Sequence, residues 1–137
     1  MKIAFFTLMT GLLFFQAACF AVKADNSNDS QPRWQTISGQ EAFKLMEESD
    51  NFILLDVRTE QEFLEMRIDG AILIPDYEIK ERAETELPDK NIIILVYCRS
   101  GRRSALSAAV LADLGYINVY DFGGILNWPY GTVSGRN

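Results

Sequence analysis

The chain has no histidine. That absence excludes a cysteine–histidine or serine–histidine catalytic pair and any metal site built on imidazole. Cysteine is almost as scarce, with Cys19 and Cys98 the only two in 137 residues. Basic residues are outnumbered, 13 Lys and Arg against 19 Asp and Glu. An acidic surface repels phosphate backbones and anionic lipid, so no nucleic-acid partner is expected. The length suits one domain.

The apolar residues are unevenly spread. Lys2 is followed by an apolar run from Ile3 to Phe15, and small residues cluster from Ala17 to Ala24. A positive start, an apolar middle and small residues at the end describe a secretory signal over residues 1–24. Cleavage after Ala24 places Val22 and Ala24 where small side chains are wanted, and cleavage after Ala21 is an alternative. Ile3–Val22 is also long enough to span a bilayer, which takes about 20 apolar residues. Lipid attachment at Cys19 is less well supported, because Gln16 stands where a lipoprotein signal usually has Leu. A membrane association is expected only if the leader is retained or lipidated. Each alternative exports the domain, with the periplasm as the expected destination.

Cleavage after Ala24 removes Lys2 and Lys23 and no acid, leaving 11 basic and 19 acidic side chains, a net charge of −8. Cys98 then becomes the one thiol, so no internal disulfide can form. Residues 25–33 (DNSNDSQPR) are polar and aperiodic, a solvated linker. The domain proper is expected over 34–137.

Within it, helix-like and strand-like segments alternate. Ser38 and Glu41 form a capping-box pattern that predicts a helix over Gln40–Glu48, with Ala42, Leu45 and Met46 inward. Asn51–Val57 has strand length and apolarity. Thr59 and Glu62 repeat the capping box before a short helix ending near Met66. Ala71–Ile74 is a strand stopped by Pro75, and Tyr77–Glu86 a charged helix ended by Leu87-Pro88. Asn91–Tyr97 (NIIILVY) is apolar at nearly every position, the mark of a strand buried on both faces. A helix over Arg103–Leu114 follows, ended by Gly115, with Ala105, Ala108, Ala109 and Ala112 expected as its sheet-facing stripe. Asn118–Phe122 is the last predicted strand, before Gly123-Gly124 and a turn to Trp128. Trp34, Trp128 and Tyr130 are open to a role in either core or interface. The alternation predicts an α/β domain with a mostly parallel sheet, in which ligands bind beyond the carboxyl ends of the strands.

Cys98 stands at that end of the most apolar strand and opens the segment Cys98-Arg99-Ser100-Gly101-Arg102-Arg103-Ser104. A nucleophilic thiol must be ionised near neutrality, and an ordinary cysteine mostly is not. The positive end of the following helix, backbone N–H groups turned inward through Gly101, and three arginines all favour the anion. The bland alternative is an inert core cysteine. That leaves three arginines and a glycine within five residues unexplained. Arg102 is the arginine best taken as a solvent-facing charge.

The segments Leu55-Asp56-Val57-Arg58 with Glu62-Phe63, Ile68 to Pro75, Cys98 to Ser104, and Phe122-Gly123-Gly124-Ile125 with Trp128 together resemble the rhodanese family. They occur in the expected order from Phe52 to Trp128. The small exported single-domain members, including the phage-shock type, are the most similar. The resemblance implies a five-stranded, mostly parallel sheet flanked by helices. It implies that Cys98 takes a sulfane sulfur from an anionic donor such as thiosulfate and passes it, as a persulfide, to a thiophile such as cyanide. The backbone of Arg99, Ser100, Gly101, Arg102, Arg103 and Ser104 would bind the substrate. Asp56 and Arg58 would be structural, and neither metal nor organic cofactor is called for. Met66-Arg67 stands where many members have Gly-His.

Two other functions compete. A cysteine phosphatase would need five residues between Cys and Arg, whereas Cys98 and Arg103 enclose four. A sulfur carrier that serves one protein partner would turn over slowly on small molecules. The acidic helix over Tyr77–Glu86 could then dock that partner, although a solvated face explains it more simply.

Overall fold

The computed structural model describes residues 33–135. The leader and its cleavage sites, most of the linker, and residues 136–137 lie outside them. In chain order the elements are β1 (Gln35–Thr36), α1 (Gly39–Glu48), β2 (Phe52–Asp56), α2 (Glu60–Glu65), β3 (Ile72–Leu73), α3 (Ile79–Glu86), β4 (Ile93–Cys98), α4 (Arg102–Asp113) and β5 (Val119–Gly124). Single 3₁₀ turns cover Asp76–Glu78 and Ile125–Asn127. The strands form one sheet in the order β1-β5-β4-β2-β3, and every pairing is parallel.

The apolar run at Ile93–Cys98 takes the middle of the sheet, where both faces need cover. Alternation along it sends Ile94, Val96 and Cys98 into the core beneath α3 and α4. Leu95 and Tyr97 enter the opposite core, with Ala42 of α1 and Phe63 of α2. Strand parity therefore puts the thiol on the face covered by α4. Both capping boxes form, Ser38 with Glu41 and Thr59 with Glu62.

Three expectations need revision. β1 was not anticipated: its two residues are exposed and polar, and only pairing with Tyr120 and Asp121 of β5 makes them a strand. The segment expected as one helix from Tyr77 begins instead as a 3₁₀ turn. The Asp76 N–H is tied to the Val57 carbonyl at 3.0 Å, and the Glu78 N–H closes on Pro75 at 2.8 Å, so α-helical spacing starts only at Ile79. The buried face of α4 is Ser104, Ser107, Ala108, Leu111 and Ala112, with Ala105 and Ala109 only half-buried. Gly101, at φ +109°, starts the helix directly from the Cys98 loop and sets its rotational phase. The two serines are thereby turned toward the sheet.

The chain after β5 folds back along α1 and α2. Tyr130 stacks on Phe43 with ring centroids 4.0 Å apart, and Trp128 meets both rings edge-on. Arg67 and Val133 exchange a pair of 2.8 Å backbone hydrogen bonds. Trp34 and Trp128 both pack against the cores.

Candidate active site

Cys98 ends the central strand and is only 1% exposed. Its register against β5 is broken between Val96 and Cys98, so that Cys98 pairs with Gly124. The chain then turns through Arg99, Ser100 and Gly101 into α4. The Gly101 N–H returns to the Cys98 sulfur at 3.0 Å. Burial pushes the thiol pKa up. Hydrogen bonds from the Ser104 hydroxyl and N–H, and from the N–H groups of Gly101 and Ser100, outweigh it and hold the thiol below its ordinary value. Donors around a sulfur at a helix N-terminus favour its anionic form.

The loop rests on the end of β5. A Cβ on Gly124 would meet the Arg99 carbonyl and fall 2.6 Å from Ser100 Cα, so only glycine fits there. Gly123, at φ +87°, turns its N–H to the Asp121 carboxylate at 3.0 Å. The buried Ser104 hydroxyl lies 3.0 Å from the Gly101 carbonyl and 3.2 Å from that of Gly123. Its single proton is contested between those carbonyls and the sulfur.

The three arginines differ. Arg99 and Arg102 are exposed. Arg103 instead makes a bidentate pair with Glu62, 41 residues earlier, through Nη1–Oε2 at 2.9 Å and Nη2–Oε1 at 2.8 Å. Its guanidinium is thus turned onto a carboxylate of α2. In the sequence Glu62 was legible as a capping residue and as part of the Glu62-Phe63 motif. Its second partner is a tertiary contact with no local signal in the sequence.

Asp56 and Arg58 lie at the end of β2, 0% and 3% exposed. Arg58 Nε donates to Asp56 Oδ1 at 2.9 Å and Nη2 to Oδ2 at 2.6 Å; Nη2 also reaches the Met66 carbonyl at 2.6 Å. The pair ties the β2–α2 turn to the end of α2, and neither group touches the sulfur. Arg67 is buried against the Phe63 ring, 5.0 Å from its centroid, and donates to the Gly135 carbonyl, so it anchors the tail. Beside the loop lies an open cleft of about 340 Å³ lined by Arg58, Glu62, Glu65, Met66, Arg99 and Leu126, among others. Among the described residues no cluster of three or more acidic or cysteine side chains is placed to hold a metal ion.

A family model for the rhodanese-like domain matches residues 39–129, from the first helix to just past Trp128. The chain belongs to the rhodanese-like family. The thiosulfate sulfurtransferase PspE of Escherichia coli is 38% identical to it over 81 residues, 59% of this chain and 78% of that protein. A sulfurtransferase of Allochromatium vinosum is 31% identical over 93 residues, 67% of this chain and 85% of that protein. Among solved structures, a rhodanese with anions from E. coli superposes with a TM-score of 0.57 at 37% identity, covering 61% of this chain and 98% of that one. The rhodanese fold and these relatives support sulfurtransfer as the general class of reaction.

Proposed function

We propose that the protein is an exported thiosulfate sulfurtransferase that works through a persulfide on Cys98. The observation that carries this is the buried sulfur at the end of the central strand, held by the Gly101 N–H at 3.0 Å and surrounded by donors from Ser100 and Ser104. The Cys98 thiolate attacks the outer sulfur of thiosulfate. A new sulfur–sulfur bond forms, the bond to the sulfonate sulfur breaks, and sulfite leaves with its electron pair. Cyanide or another thiophile then attacks the terminal sulfur of the persulfide, giving thiocyanate and regenerating the thiolate. Electron pairs balance between donor and acceptor, so the cycle calls for no separate oxidant or reductant. The protein's contribution is an ionised nucleophile and N–H groups aimed at the charge on the transferred sulfur. Arg99 and Arg102, exposed at the rim of an otherwise acidic chain, draw in the dianionic donor. Export rests on the leader at residues 1–24.

Intact mass after incubation with thiosulfate tests the proposal. The expected result is a gain of one sulfur atom that cyanide removes and that Cys98→Ser abolishes while the fold is retained. Undiminished turnover in Cys98→Ser, or hydrolysis of an aryl phosphate without any sulfur adduct, would overturn it. Sulfur loading with slow turnover on cyanide but rapid transfer to a protein partner would instead mark a carrier.

A further inference from the structure

Glu62 has more work than its helix cap requires. Its Oε2 accepts from the Thr59 N–H and hydroxyl, both at 3.1 Å, and also from Arg103 Nη1, while Oε1 takes Arg103 Nη2. One carboxylate thus joins the start of α2 to the start of α4. Arg103 is the second residue of α4, two residues after Gly101, whose N–H reaches the Cys98 sulfur at 3.0 Å, and it is followed by Ser104, whose hydroxyl lies 3.0 Å from the Gly101 carbonyl. The pair is three-quarters buried, with Glu62 25% and Arg103 22% exposed, and both bonds are short and parallel. A charged fork of this kind restricts direction as well as distance. Glu62 is itself held in place by its capping box with Thr59.

We infer that Glu62 is a positioning residue: by gripping the Arg103 guanidinium it fixes the first turn of α4, and with it the donors that hold the Cys98 sulfur. It touches neither sulfur nor substrate. The charged groups on the elements around the thiol are Arg99 and Arg102 on the loop, Arg103 on α4, Glu62 on α2, the Asp56–Arg58 pair on β2, Asp121 on β5 and Asp76 before α3. Arg103 and Cys98 attract each other electrostatically. Two opposite effects therefore follow from neutralising Glu62. Removing a negative charge near the sulfur would stabilise the thiolate, whereas loosening its donors would destabilise it. The positioning role requires the second to win.

Glu62→Gln separates the clamp from the cap, because glutamine also closes a capping box. The readout is the pH dependence of Cys98 alkylation by iodoacetamide in the full chain, which needs no sulfur donor. It therefore stands or falls separately from the proposed reaction. A rise of about one pH unit in the alkylation midpoint is expected. Arg103→Lys keeps the charge and loses the fork, and its midpoint is expected to rise as well. A downward shift in Glu62→Gln would mean that Glu62 acts only as a nearby charge. An unchanged midpoint in both variants would mean that it is only a helix cap. Either outcome overturns the inference. Should Glu62→Gln fail to fold, the Arg103→Lys midpoint decides alone.

Discussion

Gly124 lies directly beneath Ser100: a Cβ added to the glycine would fall 2.6 Å from the serine Cα. The backbone of β5 is thus the floor on which the Cys98 loop is laid. Gly124 has an ordinary extended conformation, φ −123° and ψ 143°, so alanine there is excluded by contact and not by backbone strain. Gly124→Ala is expected to lift the loop, with a loss of about 100-fold in kcat/KM. Stability should fall by only about 1–3 kcal/mol, the usual range for overpacking. Steady-state rates and urea unfolding on the same sample check both. A variant of normal activity would show that the loop tolerates displacement.

Arg99 and Arg102 divide the rim differently from Arg103. Their side chains are exposed, while that of Arg103 is occupied by Glu62. Arg99→Ala and Arg102→Ala should each raise KM for thiosulfate roughly three- to fivefold, as suits exposed charges, with kcat little changed. The effect should shrink as salt is added, because screening weakens exposed charges first. Initial rates across thiosulfate concentrations at low and high ionic strength measure it. A large fall in kcat would place one of these guanidinium groups at the reacting atoms.

What could be foreseen from the sequence follows from how local each signal is. The Ser38–Glu41 and Thr59–Glu62 boxes are closed within four residues and were readable at once. Ile93–Cys98 was readable because burial on both faces leaves no polar position to confuse the pattern. β1 was invisible, because Gln35 and Thr36 carry no apolar signal and owe their conformation to β5. The face of α4 was misjudged because alanine count favoured Ala105 and Ala109, whereas the turn at Gly101 sets the phase and buries Ser104 and Ser107. The Cys98 loop was legible as a glycine turn that aims an N–H at the sulfur and leads into a helix. Its dependence on Glu62 was not, since nothing local in either segment predicts a contact across 41 residues. Arg67 was likewise seen only as a departure from the family pattern, and its grip on the tail emerges only in three dimensions.

The Asp56–Arg58 pair should dominate stability among the ion pairs. Both side chains are almost wholly buried, so Asp56→Ala strands a guanidinium away from water. A loss of about 3–5 kcal/mol is expected, a large part of a typical domain's total. Arg82 offers the contrast, bonded to Glu78 at 2.5 Å and to Glu86 at 2.6 Å but 38% exposed. Glu78→Gln should cost less than about 1 kcal/mol despite the shorter distance. Urea midpoints for the two variants decide whether burial or bond length governs.

Acid should reveal the Glu62–Arg103 clamp in stability as well. The Arg103 fork, aided by the Thr59 N–H and hydroxyl and opposed by burial, lowers the Glu62 pKa from 4.5 to about 2. A carboxylate depressed on folding stabilises the fold fully above its unfolded pKa, and the contribution disappears as pH falls through the folded value. The Glu62 share is therefore complete above about pH 4.5 and is lost progressively toward pH 2. Hydrogen bonds from Ser38 lower the Glu41 pKa as well, so the raw acid limb is not diagnostic of Glu62. The difference between the original chain and Glu62→Gln is. That gap in unfolding free energy should be constant from neutrality down to about pH 4.5 and then close as Glu62 protonates. A gap independent of pH down to 2 would mean that Arg103 does not hold the carboxylate ionised, and that the two helices are joined by packing and not by charge.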